Sequence, residues 1–331
     1  MRTHVVLLSG TALSGHNGMA RTILLRSHIW LFLLAACVFF SVVSPYFLTV
    51  NNLANVLTQS AFIGILAIGM TLVMINGEID LSVGATLALA CALAIGLHNG
   101  GASAPVAIAA ALLAGTAMGL LNGSLVALSG MHSFVVTLGA LIGIRGLVFV
   151  YTGGNALLVN DFEYTEIPEV YLGQISLTAM IFFALVLFFQ WFLTSTRHGR
   201  EAYAVGDNIE AARDAGIRVG RHKLINFTLC GFLAALSGVL LSMRLGTAEP
   251  QAGRSWELWA IIAVVLGGTR LKGGYGDMWR TLGGVLALAV VQNGLRLLNT
   301  PNYVELIVMG LVLLLALGLD RIMLLGTRKG E

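Results

Sequence analysis

The stretch "LANVLTQSAFIGILAIGMTLVMINGEIDLSVGATLALACALAIGLH", from Leu53 to His98, sets two long apolar runs, 53–75 and 82–98, on either side of one short acidic break. Each run approaches the ~20 residues that a helix needs to cross a bilayer. Neither contains a carboxylate, lysine or arginine. In hydrocarbon every backbone N–H and C=O must be satisfied within the segment, so runs of this kind are read as helices.

The pattern repeats outward from there. Further apolar runs cover 28–44, 104–129, 133–152, 174–194, 222–243, 256–269, 278–298 and 302–324, giving ten in all. The eighth, "WELWAIIAVVLGGT", is short, and is read either as a short span or as a broken helix. The chain of 331 residues is 57% apolar and only 11% charged, against ~25% charged in soluble domains. An all-α polytopic membrane protein follows, with aqueous segments limited to loops. Cys37, Cys91 and Cys230 all fall within apolar runs and are read as small core residues.

Lysine and arginine accumulate on the cytoplasmic side of membrane proteins. With the N-terminus placed there, fifteen of the 19 basic residues fall on that side, including those at both ends of the chain. The loop after 133–152 carries Asp161, Glu163, Glu166 and Glu169 and no base, as an outer loop should. The expected organisation is a cytoplasmic segment 1–27, a membrane domain 28–325 and a cytoplasmic tail 326–331, with Met19 as a candidate alternative start.

One polar island stands out. "GREAYAVGDNIEAARDAGIRVGRHK" (Gly199–Lys223) has ten charged or histidine residues among its 25. It sits within a cytoplasmic loop, 195–222, and carries the start and stop signals of a short helix. Asp207 is the expected N-cap, and Glu210 completes a capping box. Asn208 follows the cap, Ala211 and Ala212 favour helix, Glu210 and Arg213 are spaced to pair, and Gly216 is the stop, followed by Ile217. About eight residues make ~12 Å of helix. Ile209, Ala212 and Gly216 form a narrow stripe suited to a groove in a partner protein.

The chain does not carry an ATP site of the phosphate-loop kind. That loop needs Gly-Lys-Ser/Thr, and Lys223, Lys272 and Lys329 follow His222, Leu271 and Arg328. ATP and Mg are therefore expected on a separate polypeptide, which would dock at the island. No spaced His/Cys/Glu cluster suggests a metal, and no residue pair suggests catalysis.

Three other stretches hold candidate residues. "NGEIDLSVG" supplies Asn76, Glu78, Asp80 and Ser82. Two readings stand for it: a turn at the interface with Asp80 or Ser82 capping the next helix, or a polar lining or gate on a transport path. Arg145, inside an apolar run, either reaches toward the interface or has an internal partner. "LGGTRLKGGYGDMWRTLGG" places Gly267, Gly268, Gly273 and Gly274 around Arg270 and Lys272 and is read as a hinge turn. Gly115, Gly119 and Gly123, and likewise Gly139 and Gly143, recur every four residues, a spacing that lets helix backbones approach closely.

The chain resembles the permease subunits of bacterial sugar ABC importers, the ribose/xylose/rhamnose group. The likeness rests on "EIDLSVGA" (78–85), "SFVVTLGALIGIRGLVFVYTGG" (133–154), "GREAYAVGDNIEAARDAGIRV" (199–219) and "AVVLGGTRLKGGYG" (263–276), in that order. It departs from the family at His132, where proline is usual, at Trp259, where an acid is often found, and at Arg270, where a small hydroxyl is usual. The resemblance implies a dimer with a second permease copy or paralogue, two ATPase subunits, an outer sugar-binding protein, and insertion of 206–217 into the ATPase. It implies no nucleic-acid partner. A permease for branched-chain amino acids or nucleosides is the alternative, and an ion-coupled carrier using Glu78 and Asp80 is a second.

Overall fold

The computed structural model describes residues 15–161, 163–166, 171–301, 303–312, 314 and 318. The expected tail 326–331 and residues 1–14 of the expected cytoplasmic segment 1–27 lie outside them. The helices are α1 (Gly15–Val43), α2 (Val50–Ile75), α3 (Val83–Asn99), α4 (Ala104–Ser129), α5 (Ser133–Thr152), the short α6 (Glu163–Glu166), α7 (Leu177–Ser195), α8 (Arg197–Asp207), α9 (Ile209–Asp214), α10 (Val219–Leu245), α11 (Trp256–Leu266) and α12 (Met278–Leu297). A further apolar helix, α13, covers Tyr303–Val312. Four two-residue strands, β1 (Leu157–Leu158), β2 (Tyr171–Leu172), β3 (Ile175–Ser176) and β4 (Thr247–Ala248), form two small antiparallel pairs, β1–β4 and β2–β3.

α2 and α10 are the core. α2 starts at Thr49, whose hydroxyl accepts the Asn52 N–H, and is buried almost throughout its second half. α10 lies against α2, α3 and α4 and is buried along most of its length. The outer helices instead turn large apolar side chains outward, among them Leu113 and Leu128 on α4 and Ile142 and Val150 on α5. Among helices with apolar groups on both sides, only a lipid solvent leaves such faces at no cost.

Glycine decides how closely α4 and α10 approach. A Cβ at Gly119 would collide with the Phe227 carbonyl oxygen and stand 3.0 Å from Gly231 Cα; Gly115 and Gly123 are likewise hemmed in by Ala235 and Leu224. The same spacing in α5 does something different. Gly139 and Gly143 have open space where a Cβ would go, so this pair packs against nothing within the described residues.

The eighth apolar run forms a single short helix, α11, entered from a stretch of non-helical backbone. α10 ends at Gly246 (φ 61°), and Thr247–Ala248 pairs with Leu157–Leu158 beside the Asn99 end of α3. The chain then returns without helix until Gly253 meets Gly84, at the other end of α3. Those two ends of α3 are ~22 Å apart at 1.5 Å per residue. α11 begins only there, after Ser255 at φ 66°. Non-helical backbone at such depth persists where protein covers it. Arg145 supplies the cover here, its Nη1 donating to the carbonyls of Pro250 (2.8 Å) and Ala252 (2.7 Å). The internal partner, rather than the interface, is the outcome for Arg145.

Gly119→Leu is expected to destabilise the purified protein in detergent by about 1–3 kcal/mol, the usual cost of overpacking, while Gly143→Leu leaves its thermal midpoint nearly unchanged. Equal shifts for the two variants would contradict the packing described.

Candidate functional site

The polar island folds as two short helices joined by a tight corner. α8 starts at Thr196, whose hydroxyl accepts the Gly199 N–H at 3.1 Å. α9 is capped by Asn208, whose side-chain oxygen accepts the Ala211 N–H at 3.0 Å. The expected cap, Asp207, is instead the last residue of α8, so α9 has six residues and the capping box does not form. Nor do Glu210 and Arg213 form an ion pair. Gly216 is the stop, at φ 79°, with the Ile217 N–H closing onto the Ala212 carbonyl at 3.0 Å.

A second correction concerns the face of α9. Ala212 is buried against Val205 and Val219, with Ile217 beside them. It holds α9 onto α8 and α10 and is no part of an outward stripe. The exposed residues are Asp207 to Ala211 and Arg213 to Gly216.

Beneath this hairpin three separate stretches of sequence meet. Gly206 lies so close to the Ile75 carbonyl oxygen and the Gly274 nitrogen that no Cβ would fit, and Gly274 N–H donates to that same Ile75 carbonyl at 2.9 Å. Gly273 (φ 89°) packs on Gly77 and on Gly206 Cα. Gly267 packs with equal closeness on the Arg280 backbone, and Gly268 sits beside His28 and Arg280. The glycine turn is therefore a seat, formed where α8 ends, α2 ends and α11 passes into α12. Tyr203 fixes it from the side, donating to the Gly276 carbonyl at 2.7 Å.

Polar side chains tie the hairpin to the core. Glu78 and Lys223, both largely buried, form an ion pair between the end of α2 and the start of α10. Asn226 donates to the Leu72 carbonyl at 2.8 Å and bonds His198 at 2.9 Å. His198 stacks on His222 with ring centroids 4.5 Å apart, and His222 bonds Glu201 at 2.9 Å. Arg197 bonds Glu201 in turn at 2.6 Å. Burial holds His198 below the ordinary histidine range, and the Arg197 hydrogen bond holds Glu201 below the ordinary carboxylate range. Burial pushes the Tyr203 phenol up to about 12. Asn76, 1% exposed, has neither side-chain polar atom bonded among the described residues.

The residues grouped as a path or gate do not form one constellation. Asn76 and Glu78 belong to this junction. Asp80 is buried, accepts the N–H and hydroxyl of Ser82 at 2.9 and 2.6 Å, and is backed by Asn122, which donates to Ser82 Oγ at 2.9 Å. That braces α3 against α4, with Ser82 at the N-cap position of α3 but making no side-chain capping bond. Arg145 lies elsewhere, at the non-helical approach to α11, in the electrostatic field of Glu257. Sequence reasoning missed His198, Glu201, His222, Asn226 and Asn122. Of these only Asn122 carried a signal, standing inside the glycine-spaced face of α4.

A lipid-facing bundle with one short span, and a polar hairpin locked to its two core helices, is the framework of a transport permease. The chain belongs to the family described as branched-chain amino acid transport system / permease component, which matches residues 52–317. The ribose import permease protein of Bacillus subtilis (strain 168) is 42% identical over 283 residues, covering 85% of this chain and 88% of that one. The ribose import permease protein of Escherichia coli (strain K12) is 39% identical over 315 residues, covering 93% and 97%. The D-allose transport system permease protein of the same organism is 36% identical over 295 residues, covering 88% and 90%. No solved structure matches the chain.

The two shifts have the same sign for stability. A buried histidine held low favours its neutral form, so its contribution is full above its ordinary value of ~6.5 and is lost as pH falls below it. A carboxylate held low contributes above its ordinary value of ~4.3 and loses that contribution on further acidification. His222, Glu201, Arg197 and Arg221 are the charged or titratable groups around His198. Amide hydrogen exchange in 199–206 and 219–226, corrected for intrinsic rate, is expected to quicken as pH falls from about 7.5 to about 5.5. Unchanged protection would contradict the role given to the stacked histidines.

Proposed function

We propose that this chain is the membrane-spanning permease of an ATP-driven sugar importer, coupled to a separate ATPase through loop 195–222. The observation that carries the coupling is the exposed face of α9 and its flanks, 207–211 and 213–216, standing on a junction that joins α2, α8, α10 and the glycine turn. A push on α9 has no soft element to absorb it before it reaches the core helices.

In this reading the membrane domain is 28–325, with about ten crossings: α1 to α5, α7, α10, the short α11 span, α12 and α13. The polar hairpin and both chain ends face the cytoplasm, as the distribution of lysine and arginine asks. Two ATPase subunits bind ATP and Mg, a second permease copy or paralogue completes the pathway, and an outer binding protein delivers the solute. Gly267, Gly268, Gly273 and Gly274 transmit motion of the hairpin to α11 and α12, and Asp80 and Arg145 hold the elements that border the path. Closure of the ATPases drives import because the two states of the assembly differ in how tightly they hold this junction.

The family description names branched-chain amino acids, but the similar relatives above are named for ribose and D-allose. Their extent and identity support a sugar for this chain. An ion-coupled carrier finds less support, because Glu78 is already engaged by Lys223.

The burial of Ala212 fixes the choice of test. Ile209→Asp is expected to leave the thermal midpoint unchanged and to cut ATP-driven uptake by about tenfold or more, corresponding to ~1.4 kcal/mol of lost docking. Ala212→Glu is expected to unfold the hairpin itself, because it buries a charge without a partner. Uptake measured in proteoliposomes of the assembled importer decides it; an Ile209→Asp protein that transports normally would contradict the coupling role.

A further inference from the structure

A cavity of about 410 Å³ opens between α2, α10, α11, α12 and α13, at the end of the bundle opposite the polar hairpin. Its size falls within the ~300–1,000 Å³ of small-molecule sites. From the junction at Ile75, Gln59 lies sixteen residues back along α2, or ~24 Å, and Arg296 lies nineteen residues along α12 from its cap Asp277, or ~28 Å. Trp256 and Trp259 form one wall, three residues apart on the same face of α11. The polar lining is Gln59, Arg244, Gln292, Arg296 and Glu305.

The lining holds one acid, Glu305, and two arginines, of which Arg296 is paired and Arg244 is solvent-exposed. Arg296 donates to Gln59 at 3.1 Å and to Glu305 at 3.3 Å, so the one acid lining the cavity already has its cation. The cavity offers an amino acid's ammonium group no unpaired acid. Gln292 is 91% buried and Trp256 and Trp259 are half-buried; neither the Gln292 amide nor the two indole N–H groups form a hydrogen bond among the described residues. The Gln292 amide keeps access to the open space of the cavity, where a ligand hydroxyl can meet it. Flat indole faces cover the C–H faces of a sugar ring, and amide and indole N–H groups meet its hydroxyls.

We infer that this cavity is a monosaccharide-binding station within the permease itself, with Trp256 and Trp259 as its stacking wall and Gln292 as its principal hydrogen-bonding group. The inference rests on the reading of this chain as a sugar permease. It also gives α11 a mechanical meaning: the tryptophans stand at one end of an eleven-residue helix whose other end enters the glycine seat at Gly267. Movement at the seat displaces the stacking wall.

The test uses the assembled importer in proteoliposomes with its binding protein, measuring ATP-dependent uptake of labelled D-ribose, D-allose and L-leucine together with ATPase rate. Gln292→Leu and Trp259→Ala are each expected to cut sugar uptake about tenfold while ATPase activity stays within about twofold. Trp259→Phe, which keeps an aromatic face, should restore most of the uptake and guards against a simple folding defect. Sugar uptake within about twofold of the parent for both Gln292→Leu and Trp259→Ala would overturn the station while leaving the sugar reading intact, and is the result expected of a lipid-filled cavity. Uptake and ATPase rate falling together in folded protein would also overturn it, making these residues part of the coupling path. A parent importer that moves L-leucine and neither sugar would overturn both the function and the station.

Discussion

The Ile75 carbonyl oxygen is the point on which the rest depends. It ends α2, accepts the Gly274 N–H, and lies against Gly206 with no room for a side chain. Three stretches far apart in sequence converge on one backbone oxygen, and all three must be glycine or carbonyl there. Interiors packed this closely do not deform smoothly; they shift between discrete arrangements. A hairpin seated on such a contact moves with the core helices or not at all.

Around that point the electrostatics are local and paired. Glu78 and Lys223 neutralise each other, and Asn226 carries the histidine stack onto the α2 backbone. Breaking a buried pair by removing one partner costs ~3–5 kcal/mol, far more than the pair adds over an apolar substitute. Their use here is therefore one of position: they fix the register of α10 against α2. At the opposite end the pairing of Arg296 with Glu305 works in the same way and leaves amides and indoles to face the cavity.

Much of the bundle was legible in the sequence, for simple reasons. The bounds of α4 and α5 coincide with the apolar runs because Gly130, in the left-handed conformation, ends one and the short "GMH" turn separates them. The brevity of "WELWAIIAVVL" signalled a short span, but "TAEPQAGRS" before it has the composition of an ordinary outer loop. Its descent into the bundle follows from Gly84, Gly253 and the reach of Arg145, which no local pattern encodes. Likewise Asp207 and Asn208 are equally good caps in isolation. The seat against Ile75 holds Gly206 in α8 and gives the cap to Asn208. Ala212 looked outward because its neighbours in sequence are polar, whereas its neighbours in space are Val205 and Val219. The candidates grouped as a path fall in separate places, since only the fold separates Asp80 from Arg145.

The central claim is that the α9 face and the glycine seat move as one unit. Amide hydrogen exchange in the assembled importer, with and without ATP, measures this directly. The account predicts that protection changes together in 205–216 and in 267–276 when nucleotide binds. A change confined to 205–216, in a complex that still transports, would contradict it.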